Sequence, residues 1–184
     1  MKHQVIAICG MKRSGKDTIA NYIASLGYKP VKISAKLKEI CHILFGFSHV
    51  QMEDAVKDVI DERFGITPRK AMQFLGTEVM QYKIQELLPN TGRSFWINTL
   101  LQQEQDKIVI SDMRFVHEER ALRAMWGDRA MIIKVVRPEL EDEDEHVSEK
   151  EWVDIKEDVL LVNNTTIDSL LDKVSEALGK ANSP

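Results

Sequence analysis

The feature that most constrains the fold is a glycine-bracketed loop near the start of the chain. The apolar, β-branched run Val5–Cys9 leads directly into Gly10-Met-Lys-Arg-Ser-Gly-Lys-Asp-Thr18, and a helical pattern, Asp17–Leu26, begins inside this loop. A buried strand, a glycine-rich turn and a helix in this order direct backbone N–H groups and a helix N-terminus at one anion. The spacing G-x-x-x-x-G-K therefore predicts a phosphate-binding P-loop.

Each part of the loop has a physical reason to contact phosphate. Gly10 and Gly15 allow a tight turn, and Lys16 can reach the β and γ phosphates of a nucleotide. The competing interpretation is a glycine-rich turn with incidental lysines. The candidate residues for holding the phosphates of ATP are Gly10, Lys12, Arg13, Ser14, Gly15, Lys16, Asp17 and Thr18.

The loop departs from the usual P-loop at Asp17, because Ser or Thr normally follows the lysine and ligates Mg²⁺ through its hydroxyl. Thr18 does not simply replace that hydroxyl, since one step along a helix turns a side chain by about 100°. A carboxylate is a good ligand for a hard cation, so Asp17 is predicted to hold Mg²⁺ directly or through a water. Alternatively, Asp17 is a first-turn acid favoured by the helix dipole.

The rest of the chain predicts an α/β fold, a parallel sheet with helices on both faces. Strands are expected at Val5–Cys9, Ile108–Ile110, Met131–Val136, Val159–Val162 and, more weakly, Tyr28–Ser34. Their unbroken apolar character is typical of parallel strands covered on both sides. Helices are expected at Asp17–Leu26, Ala35–Phe45, Met52–Phe64, Pro68–Leu88, Ser94–Gln105 and Val116–Met125, and in an apolar stripe from Ile167 to Leu178.

The length of 184 residues fits one domain, 1–184. The stretch from about 35 to 105 holds several helices and no convincing strand, which predicts a helical insert beside the substrate cleft. An irregular stretch, about 137–152, contains the acidic run 139–145. We interpret it as a lid, although a solvated loop has the same composition.

Composition and charge limit the classes of partner and the cellular compartment that we expect for this protein. The net charge is −4 and no block of Lys or Arg stands out, so nucleic acid is not an expected partner. No apolar segment approaches membrane-spanning length, so no membrane is expected either. Cys9 and Cys41 both lie in apolar patterns and are expected to be buried free thiols, which favours a cytoplasmic location.

Two charged residues follow a predicted strand. Asp112 and Arg114 come just after Ile108–Ser111, and ligands in open parallel sheets gather beyond the carboxyl ends of the strands. Asp112 is therefore a candidate to hold Mg²⁺ or orient the attacking oxygen, and Arg114 a candidate to contact an acceptor phosphate. A local Asp–Arg surface pair is the alternative.

The predicted insert carries candidates for acceptor binding. Thr67 and Pro68 are expected to begin a helix on which Arg69 and Gln73 share one face. Arg can grip a phosphate with two N–H groups, and Gln can both donate to and accept from a base edge. A polar stripe without function is the alternative. Further candidates are Lys36 and Lys38 for neutralising phosphate and Trp96 for stacking on a base, although core packing is as reasonable for Trp96.

The loop and three later segments together resemble the deoxynucleoside monophosphate kinases of phages and large DNA viruses. The matching segments are Lys12-Arg-Ser-Gly-Lys-Asp-Thr18, Asp112-Met-Arg-Phe115, Val136-Arg-Pro138 and Asp144-Glu-His-Val-Ser-Glu149. The resemblance implies a nucleoside monophosphate kinase-like fold, transfer from ATP to a deoxynucleoside monophosphate with Mg²⁺, and a possible homodimer. It also places Arg137 and His146 in a lid that closes on the site.

Two other functions stay open at this point. Phosphomevalonate kinases also use a GKD-type loop, so another phosphorylated metabolite could be the acceptor. A regulatory or structural module that binds nucleotide without turnover is the second alternative, and the candidate metal acids and phosphate clamps argue against it.

Overall fold

A computed structural model describes residues 3–102, 107–140 and 146–180. The chain divides into two compact units, which are described separately. The sheet unit comprises Met1–Lys32 and Leu101–Pro184, and the helical unit comprises Ile33–Leu100. Two predictions fall partly on other residues: most of the acidic run, at 141–145, and the end of the helix expected at Ser94–Gln105 lie outside the described residues.

The sheet unit contains a parallel sheet, as predicted. Its strands are β1 (Val5–Gly10), β2 (Lys29–Val31), β3 (Ile108–Met113), β4 (Ala130–Val136) and β5 (Val159–Val162). Their order across the sheet is β2-β3-β1-β4-β5, and the neighbouring strands pair in parallel. The central position of β1 places the loop that follows it at the middle of the sheet's carboxyl edge, where ligands bind in such sheets.

Helices α1 (Lys16–Ser25) and α7 (Ile167–Lys180) cover one face of this sheet. Ile19 of α1 and Val174 of α7 pack against Ile8 and Ile133. Because every residue of Val5–Cys9 is at most 1% exposed, the opposite face is covered as well. The remaining helices of the sheet unit are α5 (Val116–Trp126) and α6 (Val147–Lys150).

The helical unit contains α2 (Ala35–Phe45), α3 (Pro68–Gln73) and most of α4 (Phe95–Leu101). Its core is formed by Cys41, Phe47, Met52 and Ala71. Helix α3 begins as predicted, with Pro68 at its first position and the Thr67 hydroxyl accepting from the backbone N–H of Lys70 at 3.2 Å. It then continues as π-helical turns at Phe74–Tyr82 and a 3₁₀ turn at Lys83–Glu86.

The helix expected at Met52–Phe64 is wrong. The chain instead forms 3₁₀ turns at Val50–Met52 and Asp54–Asp58 and then a turn bridged between Asp61 and Ile66. The buried carboxylate of Asp61 accepts from the backbone N–H and the guanidinium of Arg63, at 3.1 and 2.7 Å. This local bonding offers the backbone an alternative to a helix.

Within the described ranges, no helix is both long and apolar enough to cross a membrane. The two cysteines are buried free thiols, as expected. Burial raises the pKa of the Cys9 thiol to about 12, so this thiol stays protonated near neutral pH.

Candidate active site

Two glycines of the loop are fixed by what surrounds them. Gly10 has a φ of 144°, and a Cβ there would lie 2.3 Å from the carbonyl oxygen of Val135 in β4. Gly15 has a φ of 105°, and a Cβ there would lie 2.8 Å from Nδ2 of Asn163. A side chain at either position would therefore clash with these neighbours. The loop lies in close contact with β4 and with the segment after β5.

Asn163 was not predicted as a site residue. Its side-chain amide donates to the carbonyl oxygen of Ser14 at 2.9 Å and so fixes the last turn of the loop. Ser14 is fully buried, and its hydroxyl has no hydrogen-bond partner among the described residues. The available signal was the position of Asn163 directly after a strand, at the same sheet edge as the loop.

Lys16 lies across its own loop. Its ammonium donates to the carbonyl oxygen of Met11 at 2.5 Å. Burial, with a smaller contribution from the nearby Arg114, lowers the pKa of Lys16 to about 8. A phosphate in the loop would supply the negative charge that this partly buried ammonium lacks.

Asp17 contacts the ends of two strands. Its carboxylate accepts from the hydroxyl of Ser111 at 3.1 Å, and the ammonium of Lys32 lies 3.4 Å from the same oxygen. The side chain of Asp17 is 69% exposed, so it remains open to a ligand. Ser111 and Lys32 were not predicted as site residues. Thr18, one position further along α1, is partly buried.

Strand β3 is irregular where the candidate metal acid lies. Ala7 pairs with Ile110 and Cys9 pairs with Met113, so β3 has one more residue than β1 over this stretch. Ser111 and Asp112 occupy the irregularity. An extra residue of this kind bends a strand and redirects side chains, and it is frequent beside active sites.

Arg114 is held by helix α6. Its guanidinium forms an ion pair with the buried carboxylate of Glu149 and donates to the carbonyl oxygen of Ser148 at 3.2 Å. The arginine side chain is 36% exposed, whereas that of Glu149 is 6% exposed. The guanidinium is therefore oriented by a buried partner and still reaches solvent.

The backbone of Arg114 is fixed by a second buried acid. One carboxylate oxygen of Glu118 accepts from the N–H groups of Arg114 and Phe115, at 2.7 and 3.0 Å. Burial raises the pKa of Glu118 to about 8, and the nearby Asp112 acts in the same direction. Neither Glu118 nor Glu149 was named as a site residue, although the family-like segment Asp144–Glu149 ends at Glu149; an acid on a helix gives no sequence signal of burial.

His146 caps the helix that holds Arg114. Its Nδ1 accepts from the backbone N–H of Ser148 at 3.2 Å and lies 2.8 Å from the Ser148 hydroxyl. Trp152, which is largely buried, donates to the carbonyl oxygen of Glu149 at 3.0 Å. The later part of the expected irregular lid is thus ordered as α6 and a 3₁₀ turn. Arg137 is exposed at the end of β4.

In the helical unit, two candidate cations are paired with carboxylates of one short segment. Arg69 forms a two-pronged ion pair with Asp58, and Lys38 forms an ion pair with Glu53. Lys36 is exposed, and Gln73 is partly buried on α3.

Trp96 packs rather than lining an open surface. It is 5% exposed, and its indole N–H donates to the carbonyl oxygen of Gly76 at 2.8 Å. A Cβ on Gly76 would lie 2.7 Å from Leu37, so a core side chain occupies the space that this glycine leaves. The geometry favours the packing alternative for Trp96 over base stacking.

The structure thus places the predicted residues in two sets. In the sheet unit, the loop Gly10–Thr18 follows β1, and Asp112 and Arg114 lie at the end of the adjacent strand β3. His146 caps the helix that holds Arg114. The acceptor candidates Lys36, Lys38, Arg69, Gln73 and Trp96 belong to the helical unit.

A central β1, a glycine loop fixed by its neighbours, and an acid and an arginine at the end of the adjacent strand β3 are typical of a P-loop kinase fold. The shikimate kinase of Aquifex aeolicus shares it, with a TM-score of 0.51 at 16% identity over 98% of this chain and 99% of that one. A family model described as deoxynucleotide monophosphate kinase matches residues 36–174. The chain belongs to the deoxynucleotide monophosphate kinase family.

Two viral relatives match nearly the whole chain. A protein of Acanthamoeba polyphaga mimivirus, named as a candidate deoxynucleotide monophosphate kinase, is 32% identical over 96% of this chain and 97% of its own length. The deoxynucleotide monophosphate kinase of Escherichia phage RB69 is 29% identical over 95% of this chain and 99% of its own length. The resemblance inferred from the sequence motifs is confirmed.

Proposed function

We propose that the protein transfers the γ-phosphoryl group of ATP to a deoxynucleoside monophosphate, giving the diphosphate and ADP. The observation that carries this proposal is the loop Gly10–Thr18, whose two glycines are enforced by backbone and side-chain neighbours. Family membership supports the acceptor class. Phosphoryl transfer needs positioning and charge neutralisation more than covalent catalysis, and this site is built for both.

The loop holds the donor. Its backbone N–H groups and the N-terminus of α1 surround the β and γ phosphates, and Lys12 and Arg13 add positive charge. Lys16 exchanges the carbonyl oxygen of Met11 for phosphate oxygens when the nucleotide binds. The partly buried ammonium then stabilises the charge that develops on the transferred group.

The oxygen donors at the loop fit a magnesium ion. Mg²⁺ is usually held by one or two carboxylates together with substrate phosphates and waters, which matches Asp17 and Asp112 beside the loop. When bound, the ion would neutralise charge on the transferring phosphates. Asp17 and Asp112 would hold it, and Asp112 would help to orient the attacking oxygen.

Arginines clamp the phosphates during transfer. The ion pair with Glu149 fixes the guanidinium of Arg114, and the Glu118 carboxylate fixes its backbone by accepting from the Arg114 N–H. The guanidinium is therefore oriented before the substrate binds. Arg137, exposed at the end of β4, contributes from the lid at about 137–152. An arginine that meets the transferring group stabilises the charge on its equatorial oxygens. His146 belongs to the same segment.

The acceptor nucleotide is bound by the insert at about 35–105. Arg69 contacts its phosphate and Gln73 its base, with Lys36 and Lys38 adding positive charge. Trp96 contributes by supporting this surface from within. The whole chain, 1–184, then acts as one kinase domain in the cytoplasm. It has no nucleic-acid partner and, following the resemblance, can form a homodimer.

Family membership does not favour the two alternatives, a kinase for another phosphorylated metabolite and a nucleotide-binding module without turnover. The test is formation of ADP from ATP with each of the four deoxynucleoside monophosphates, alongside ribonucleotides and other phosphorylated metabolites. We expect turnover with at least one deoxynucleotide. Binding of ATP without ADP formation on any of these acceptors would overturn the proposal.

A further inference from the structure

The hydrogen bond between Asp17 and Ser111 links the P-loop to the neighbouring strand at the expected metal position. In P-loop enzymes generally, the loop supplies a hydroxyl to Mg²⁺ and the neighbouring strand supplies an acid. Here the loop residue is a carboxylate and the strand residue in contact with it is a hydroxyl, 3.1 Å away. The loop therefore supplies a carboxylate in place of the usual hydroxyl, and the strand adds a hydroxyl beside its own candidate acid, Asp112.

We infer that Ser111 is a positioning residue for the metal ligand Asp17: its hydroxyl orients the carboxylate that the loop supplies to the magnesium site. This inference rests on the proposed function, because it assigns a further residue to the same site. The Ser111 hydroxyl donates to one carboxylate oxygen of Asp17. This bond orients the carboxylate and leaves its other oxygen available to the metal.

Burial distinguishes the two partners in the way this role requires. Ser111 is 6% exposed and is fixed in β3, whereas the Asp17 side chain is 69% exposed. The hydroxyl of Ser111, which is fixed by burial, can therefore orient the exposed carboxylate of Asp17. An exposed hydroxyl would not be fixed well enough to do so. Lys32, 3.4 Å from the same oxygen, is 41% exposed and provides charge without comparable fixation.

The irregularity of β3 explains how a serine reaches this position. The extra residue between Ile110 and Met113 lets Ser111 and Asp112 both occupy the stretch opposite a single residue of β1. A strand of regular register would offer one side chain at this place, since successive side chains alternate between faces. The irregular strand thus provides a hydroxyl for Asp17 in addition to the candidate acid Asp112.

The test measures metal affinity rather than turnover. Mn²⁺ replaces Mg²⁺ as the probe, and its affinity for the complex of the protein with ADP is read from the electron paramagnetic resonance signal of free Mn²⁺. We expect Ser111→Ala to weaken Mn²⁺ binding roughly tenfold or more, as removal of a group that orients a metal ligand generally does. Ser111→Thr, which keeps the hydroxyl, should bind Mn²⁺ like the wild type.

The double variant Asp17→Ser with Ser111→Asp restores the usual order of hydroxyl and carboxylate. We expect it to bind Mn²⁺ more tightly than Asp17→Ser alone. The matched control is Ser25→Ala, because Ser25, the last residue of α1, is likewise a hydrogen-bonded serine and donates to the carbonyl oxygen of Tyr22 at 2.6 Å. It should leave Mn²⁺ affinity unchanged.

Unchanged Mn²⁺ affinity in Ser111→Ala would overturn the inference, and so would equal weakening in Ser111→Ala and Ser111→Thr. If the double variant does not fold, the alanine and threonine variants still decide. Because Mn²⁺ and ADP bind without an acceptor, failure of the inference is separate from failure of the proposed function. The latter would appear as a wild-type protein that binds Mn²⁺ and ADP but phosphorylates no deoxynucleotide.

Discussion

The two units hold their candidate phosphate-binding cations in different ways. In the sheet unit, Arg114 is paired with Glu149, whose side chain is 6% exposed. In the helical unit, Arg69 and Lys38 are paired with Asp58 and Glu53, which are about half exposed at 49% and 52%. Buried partners hold a cation in one geometry, whereas exposed pairs exchange readily with solvent and ligands. We therefore expect the phosphate-binding cations of the sheet unit to be preorganised and those of the helical unit, the proposed acceptor side, to rearrange on binding.

The largest effect on activity is expected for Lys16, in the phosphate loop of the sheet unit. Lys16→Met removes the ammonium that meets the phosphates while keeping a side chain of similar length. Transfer should fall by about 100- to 1000-fold, because one preorganised group that stabilises developing charge is worth roughly that much. Steady-state kinetics measure the loss, and an unchanged melting temperature shows that the fold is intact. Unchanged turnover would remove the P-loop assignment.

A smaller loss is expected when the buried partner of Arg114 is neutralised. Glu149→Gln keeps the shape but removes the charge that orients the guanidinium, so kcat/KM should fall by about 10- to 100-fold, the range seen for groups that orient a functional residue. The matched control is Glu86→Gln, which breaks the exposed pair with Lys83 and should have no effect. Equal rates in both variants would show that the Arg114–Glu149 pair has no part in catalysis.

A still smaller effect is expected on the acceptor side. Arg69→Ala should raise the KM for the deoxynucleotide by about tenfold, the effect of losing roughly 1.4 kcal/mol of binding, and leave the KM for ATP nearly unchanged. Kinetics with each substrate varied separately give the two values. If both KM values rise together, Arg69 does not belong to the acceptor site.

The last effect concerns stability rather than activity. The pKa of Glu118 is raised from 4.5 to about 8, so the folded protein keeps a proton there that the unfolded chain releases. The stabilising contribution is complete below about pH 4.5 and is lost as the pH rises through about 8. Glu118→Gln removes this titration. Melting curves should show the wild type losing stability relative to the variant between pH 5 and 8, and parallel curves would contradict the raised pKa.

The strands and the phosphate loop could be predicted because their signals are local. Unbroken β-branched runs marked Val5–Cys9 and Val159–Val162, and the glycine spacing marked the loop between a strand and a helix. The helix predicted at Met52–Phe64 failed because the hydrogen bonds of Asp61 compete with helix formation, and hydrophobic spacing does not register that competition.

The supporting residues of the site could not be predicted, because their contacts join distant parts of the sequence. Ser111 and Asp17 are 94 residues apart, and Asn163 and Ser14 are 149 residues apart. The one-residue irregularity of β3 depends on its pairing with β1, which no local pattern encodes. Trp96 was ambiguous for a related reason, since an aromatic residue in the first turn of a helix packs or stacks according to its neighbours in space.

We expect the loop Gly10–Thr18 to present ATP for transfer to a deoxynucleotide. The most direct measurement follows the label of γ-³²P-ATP in a single turnover with each deoxynucleoside monophosphate, using the wild type and Lys16→Met. We predict labelled deoxynucleoside diphosphate from the wild type with at least one acceptor and almost none from the variant. If the label remains in ATP, or appears only as inorganic phosphate with every acceptor, the loop does not present ATP for transfer to a deoxynucleotide.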